Sequence, residues 1–443
     1  MRRHLILSLE SVSPVDGLTI SLEEEQIMMS DAADLAAEVH QELNECDRNL
    51  EISDALEDLA IIADQIEQAS PVEIALIEKV GDMAVAGTDI EAEQVVPSME
   101  SFKGMRIATE GFKDTAATIW KNIQAFLKSI WDKIEKFFYN IFGVIPAIRK
   151  RLDILNEKIT KAQSRSPRGT TFEVSTGGAN GAIVNRLSIN GKLFRNDNEL
   201  KAEVMRLHEF TIFCYGPNIA VKNMLGKEIA AVIEDFNPEG DLDAQALRIV
   251  TAYQSYNKKQ SVPGMGVKVD SGMYELIRSE PLFGGASLVG KVYHRNEPGI
   301  LGTLERLRHS GIQFEAGSND RGNGQAGGKT QLPIVSLTTM STMVKQMDQM
   351  LDLLEEYKRG PHSKAVTSTR KHLEAASKKA QASFAKAEDT ASSGSVQYFR
   401  AMLNFNAAYA RSVDDPAVPF ARYLLNEISA LMGYTNLCLA TYK

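Results

Sequence analysis

The chain changes sign near residue 110, and no other feature constrains its organisation as much. Residues 1–100 carry 24 Asp and Glu against four basic residues (Arg2, Arg3, Arg48 and Lys79), a net of −20. Residues 101–443 carry 34 acidic and 45 basic residues, a net of +11. The overall charge of −9 hides this division. Such asymmetry assigns separate roles to the two parts, with nucleic-acid contact a candidate role for the basic one. A chain of 443 residues has length for two or three domains and an ample core.

Cys46, Cys214 and Cys438 form no metal-like or redox pair, which fits a reducing compartment and argues against a disulfide scaffold. The start, from Met1 to Glu10, has basic residues but an apolar run too short for a signal peptide. No uninterrupted apolar stretch reaches bilayer length, so a protein soluble when made is expected.

Within the acidic part, Met28, Leu35, Val39, Leu43, Cys46 and Leu50, then Leu56, Leu59, Ile62 and Ile66, recur at helical spacing opposite acidic faces. Ser70-Pro71-Val72-Glu73 reads as a further helix start, with a capping serine, proline at the first helical position and a glutamate to complete the box. Residues 87–101 lack a helical period and read as an extended linker that a protease could enter. A long aromatic-basic helix is then expected over 112–161, broken or kinked at Pro146.

Beyond a basic loop at Ser164–Gly169, runs at 170–175 and 182–189 read as two strands of a hairpin. Helices are expected at 198–214, 219–236 and 242–256. The glycine-rich stretch 260–333 is short of helical period, and short strands are expected around 286–293, 312–316 and 333–337. From Thr339 onward three or four helices return, with breaks at Gly360-Pro361, Ser393-Gly394 and 415–419. The fold class is mainly α (α+β). Its expected parts are an acidic helical segment with linker (1–110), an aromatic-basic amphipathic helix (111–162), a mixed α/β region (163–338) and a C-terminal helical region (339–443).

Ala108-Thr109-Glu110-Gly111-Phe112-Lys113, leading into a helix rich in Trp and Lys, resembles the start of the mature chain in internal head proteins of phiKZ-like jumbo bacteriophages. The resemblance is closest over 98–160 and looser over the helical remainder, and it does not extend to 170–337. It implies a propeptide cut by the phage prohead protease after a small-x-Glu motif, then packaging beside the genome with other internal head or inner-body proteins. It also implies a virion-interior location after synthesis in the host cytoplasm, and some members are ejected into the host.

The motif can be tested within the chain. Ser or Ala stands two residues before Glu10, Glu23, Glu38, Glu57, Glu100 and Glu110, six of the 16 glutamates in residues 1–110, and before none of the 19 in residues 111–443. Glu38 and Glu57 fall inside expected helices and carry little weight. Ser98 with Glu100 and Ala108 with Glu110 lie where the linker ends and the charge reverses, so the final cut is expected after Glu110, with Glu100 as an earlier or alternative one.

Two further features carry a functional and a plainer reading side by side. Trp120, Phe126, Trp131 and Phe137, interleaved with lysines and backed by an isoleucine stripe, suit a membrane interface or a partner helix; packing against the core or a partner is the plainer reading and is favoured. Lys364, Lys371 and Lys378 recur at heptad spacing with Arg370 and Lys379 beside them, opposite Leu373, Ala376, Ala380 and Phe384. That stripe could contact phosphates without reading bases, although such stripes are more often a solvated face.

Enzymatic motifs fail on inspection. Gly322–Thr330 resembles a phosphate loop, but Asn323 occupies a position that needs glycine. His208-Glu209 opens like a zinc-protease motif, with Ile212 where the second histidine belongs. His294 and His309 lack ligand spacing. Asp241 with Asp243, and Asp414 with Asp415, sit where caps or turns would place them. The expectation is a virion internal protein that is not an enzyme and needs no cofactor or metal. The alternative is an ejected membrane-active or host-modulating protein acting through the 112–142 helix at a host membrane surface. A delivered enzyme such as a nuclease has no motif behind it.

Overall fold

The computed structural model divides the chain into Met1–Asn140 and Ile141–Lys443. It describes residues 143–443 apart from short internal segments at 260–261, 271–273, 294–298, 309, 318–327, 388–392, 414 and 443. The expected propeptide helices, linker and aromatic helix, and with them Glu100, Glu110, Ser98, Ala108, Trp120, Phe126, Trp131 and Phe137, lie outside the described residues.

The second unit is mainly α with a small antiparallel β insertion. Its first described helix, α1 (143–161), is unbroken across Pro146. It buries Ile145, Ile148, Leu152, Leu155 and Ile159, an alternating three- and four-residue spacing that makes one narrow apolar stripe. The strand β1 (Thr171–Ser175) and helix α2 (Gly178–Arg186) follow, then three long helices: α3 (Asp197–Tyr215), α4 (Pro217–Glu234) and α5 (Leu242–Lys259). The insertion holds β2 (Met265–Asp270), β3 (Tyr274–Ser279), β4 (Ser287–Tyr293), α6 (Gly299–Leu307) and β5 (Gly311–Glu315). After β6 (Lys329–Pro333) come α7 (Leu337–Arg359), α8 (Pro361–Ala387), α9 (Ser393–Ser412) and α10 (Ala417–Leu439).

The core forms around α10. Fifteen of its residues are buried, from Ala417 to Cys438, and they face all round the helix, the pattern of a helix enclosed by others. Tyr215 of α3 donates to the Ala417 carbonyl at 3.0 Å, and its ring lies 5.3 Å from that of Tyr357 on α7. At the other end Tyr434 donates to the Pro333 carbonyl at 2.6 Å and meets Phe194 edge-on. These pairings set α3 and α7 parallel to each other and antiparallel to α10. Along α7, Arg149 of α1 pairs with Asp348, with Asp352 at 2.6 Å and with Glu355 at 3.3 Å.

The parallel start of α3 and α7 has a single polar cause. Asn196 caps α3, while the next side chain, Asp197, accepts the Ser336 amide at 3.0 Å, its hydroxyl at 2.6 Å and the Thr339 hydroxyl at 2.5 Å. Ser336 in turn caps α7 by accepting the Thr339 amide. One carboxylate therefore ties together two helix N-termini, whose unsatisfied amides favour negative charge. Burial works against ionisation of Asp197, but the hydrogen bonds from Ser336 and Thr339 prevail and hold its pKa below the usual carboxylate value.

The four inserted strands form an antiparallel meander in the order β2-β3-β4-β5. It docks on α10 through Phe314, whose ring stands 5.0 Å from Tyr423 and 5.7 Å from Phe420. Tyr423 also donates to the Phe283 carbonyl at 2.9 Å. That carbonyl belongs to the turn before β4, which passes through positive φ at Gly284 and Gly285, a conformation open to glycine.

Two expectations from sequence are corrected. The stretch 182–189 is not a strand: 178–186 is helix α2, and no hairpin joins it to β1. Instead β1 pairs antiparallel with β6, Phe172 opposite Leu332. Val184 and Leu187 are buried and Ile183 reaches Gly433 of α10, so the apolar residues follow helical spacing once α10 supplies a partner. The strand expected at 333–337 lies earlier, at 329–333, because Ser336 is the cap of α7. The strands at 170–175, 286–293 and 312–316 and the helices of 198–256 and 339–443 are found close to their expected bounds. Helix α6 and strands β2 and β3 were not individually expected.

Candidate nucleic-acid interface

Helix α8 carries the lysine stripe, and its inner side is tightly determined. Val366, Thr369, Leu373, Ala376 and Ala380 are buried at three- and four-residue spacing. Thr369 donates to Asn223 of α4 at 2.8 Å, and a Cβ added to Gly226 would lie 2.3 Å from the Thr369 methyl. The backbones of α4 and α8 approach this closely because Gly226 has no side chain. Asn406 of α9 donates to the Leu373 carbonyl at 2.8 Å and to the Ser377 hydroxyl at 2.6 Å. Farther along, Phe384 stacks on Phe399 with ring centroids 4.3 Å apart. These contacts hold α8 parallel to α4 and antiparallel to α9, and leave one face outward.

On that face Lys364, Lys371, Lys378 and Lys379 are exposed. Their surroundings differ. Lys378 pairs with Glu374 one turn back at 2.6 Å, and Lys379 reaches Glu234 of α4 at 2.6 Å. Arg370 is half-buried and its Nε donates to the Ala410 carbonyl at 3.3 Å, so it serves the α8–α9 contact. Lys364 and Lys371 make no ion pair with another of the described residues.

A second cation, not singled out from sequence, sits inside the fold. Lys222 of α4 is 3% exposed, and its Nζ donates to the carbonyls of Ser412 at 2.6 Å and Asp415 at 2.7 Å. Asn218 donates to the same Asp415 carbonyl, and Tyr409 donates to the Lys222 carbonyl at 2.6 Å. The group pins the α9–α10 connection, which contains the cis Asp415–Pro416 bond. Helical periodicity alone makes Lys222 look like an ordinary polar position. Its partners are carbonyls some 190 residues away, and no side-chain pattern announces them.

The remaining sequence candidates fall into structural places. His208 lies half-buried on α3, where burial lowers its pKa. Asp241 accepts the Ala244 amide at 2.9 Å at the start of α5, and Asp243 accepts from Tyr398. Lys329, at the end of the glycine-rich loop, is in β6 and pairs with Glu173 across the ladder at 2.6 Å. Residues 322–327 of that loop, His294, His309 and Asp414 lie outside the described residues. Among the described residues, no helix is long and apolar enough to cross a membrane.

Fold and surface together define a mainly α protein that carries a lysine-bearing outer helix on a deeply buried helical core. The family model for phiKZ-like phage internal head proteins matches residues 16–437, nearly the whole chain, and the chain belongs to that family. No curated protein and no solved structure matches it. Membership makes the protein a component of the phage head interior, in a structural rather than an enzymatic family.

Proposed function

We propose that the protein is made as an acidic precursor, is cut after Glu110 by the prohead protease, and remains in the filled head against packaged DNA and neighbouring internal proteins. The observation that carries this reading is the charge switch at the cut. Removing residues 1–110 takes away 25 acidic and six basic residues and converts a chain of −9 into one of +10. Packed duplex DNA presents about one negative charge per 1.7 Å of axis. A strongly anionic segment opposes entry into that array, and a cationic body favours it. Glu100 and Glu110 both precede the compact unit Ile141–Lys443, which supports a cut that removes none of that unit.

The test is a phage carrying Glu100→Gln and Glu110→Gln. Uncut protein is expected to be depleted from DNA-filled heads. Uncut protein at wild-type copy number in such heads refutes the reading. A second reading is action at a host membrane after ejection, favoured by Trp120, Phe126, Trp131 and Phe137 among lysines that the trimmed chain retains. It predicts co-sedimentation of the protein with anionic vesicles.

A further inference from the structure

We infer that the phosphate-contacting surface is the corner between α7 and α8, formed by Arg359, Lys364 and Lys371, and that the Lys378–Lys379 end of the stripe contributes little. This inference rests on the proposed association with packaged DNA and identifies which part of the chain makes it.

Between Glu356 and Glu374 the chain holds no acidic residue, while Lys358, Arg359, Lys364, Arg370 and Lys371 are all basic. Lys358 and Arg370 are half-buried. The outward cations are therefore Arg359, whose side chain is 79% exposed, with Lys364 and Lys371. Arg359 has only a long contact of 3.8 Å to Glu355. Lys364 and Lys371 are seven residues apart, so they share a face with a rise of about 10 Å between them. The α4 and α9 contacts of Thr369, Arg370 and Leu373 turn that face outward.

Past Glu374 the balance changes. Glu374 and Glu234 each place a carboxylate 2.6 Å from a lysine, so the two pairs add no net charge to the surface. A phosphate approaching Lys378 or Lys379 meets a carboxylate at the same spot. Exposed ion pairs of this kind are weak, so either lysine could be pulled away from its partner. The carboxylate stays behind and still repels the phosphate. At the corner Lys364 and Lys371 pair with no carboxylate among the described residues, and Arg359 meets Glu355 only at 3.8 Å. Such a surface suits the backbone of double-stranded DNA, which is read by charge and not by sequence.

The experiment titrates the protein in the form present in DNA-filled heads, purified from particles, with a fluorescent duplex over a range of salt concentrations and compares R359Q/K364Q/K371Q with K378Q/K379Q. Circular dichroism confirms that both variants fold. The corner variant is expected to lose on the order of tenfold or more in affinity, with the salt dependence flattened by about 2 to 3 in log–log slope. The other variant should stay within about twofold of wild type, and Glu374→Gln, which frees Lys378, should tighten binding a few-fold. Equal losses in the two variants, or a larger loss from K378Q/K379Q, overturn the corner assignment and leave DNA association standing. Absence of duplex binding by the wild-type chain overturns both.

Discussion

Lys222 and Lys364 sit on neighbouring, parallel helices and do opposite things with the same ammonium group. Lys222 is 3% exposed and directs its charge at two backbone carbonyls, which closes the α9–α10 connection over α4. Lys364 is exposed and has no partner among the described residues. An internal cation is committed to the fold, because removing it takes a charged donor from two carbonyls, those of Ser412 and Asp415. An outward cation costs the fold little and remains available to a ligand. The difference comes from what α4 and α8 each pack against, since the number of positive residues on a helix does not distinguish the two cases.

Replacing Lys222 by Met should have the largest effect on stability. Charge-assisted hydrogen bonds to Ser412 and Asp415 are lost, and a cost of about 2–4 kcal/mol is expected in denaturant unfolding. A loss under about 0.5 kcal/mol, the size of an ordinary surface change, would erase the contrast with Lys364.

Next comes Gly226→Ala. The helical propensity of alanine favours it by about 1 kcal/mol. Against this, the new methyl meets the Thr369 side chain at 2.3 Å, and overpacking costs about 1–3 kcal/mol. A net loss of stability is therefore expected. Pairing it with Thr369→Ser should restore most of that loss, because serine lacks the offending methyl and keeps a hydroxyl for Asn223. Failure of the rescue would locate the strain elsewhere.

Asp197→Asn sharpens the comparison from the anionic side. The folded-state pKa of Asp197 is depressed, so its contribution is present above the unfolded carboxylate value, near pH 4, and is lost as pH falls through the folded value. The variant should lose about 1 kcal/mol at neutral pH. It should also show a shallower fall in stability on acidification, followed by thermal melting at several pH values. An unchanged acid limb would count against the shared cap.

The smallest stability effect is expected for K364Q/K371Q, within about 0.5 kcal/mol of wild type by denaturant unfolding. A larger loss would mean that these lysines also serve the fold.

Much of the helical body could be read in advance, for reasons visible in particular residues. The apolar period of α3, α4, α5 and α7 to α9 follows the side each helix buries, so 3.6-residue spacing identified them, and α10 stands out as apolar all round. The α8 stripe was legible for the same reason, with Leu373, Ala376 and Ala380 buried and the heptad lysines exposed. The pairing of its lysines was legible only in part: Glu374 stands one turn from Lys378, but Glu234, the partner of Lys379, lies 145 residues away on another helix. The 182–189 stretch misled because β-branched residues beside a glycine-rich turn suggest a strand. Its partner, Gly433 of α10, is distant in sequence. The same distance hid the pairing of β1 with β6 and the cap that Asp197 supplies to α7.

On the proposed function, an anionic leader comes off in front of a cationic body. Mass spectrometry of this protein from mature, DNA-filled particles addresses it most directly. An N-terminus at Gly111, with peptides continuing to the C-terminal helix, is the predicted result. Recovery of residues 1–110 still joined to the rest of the chain in those particles would contradict it.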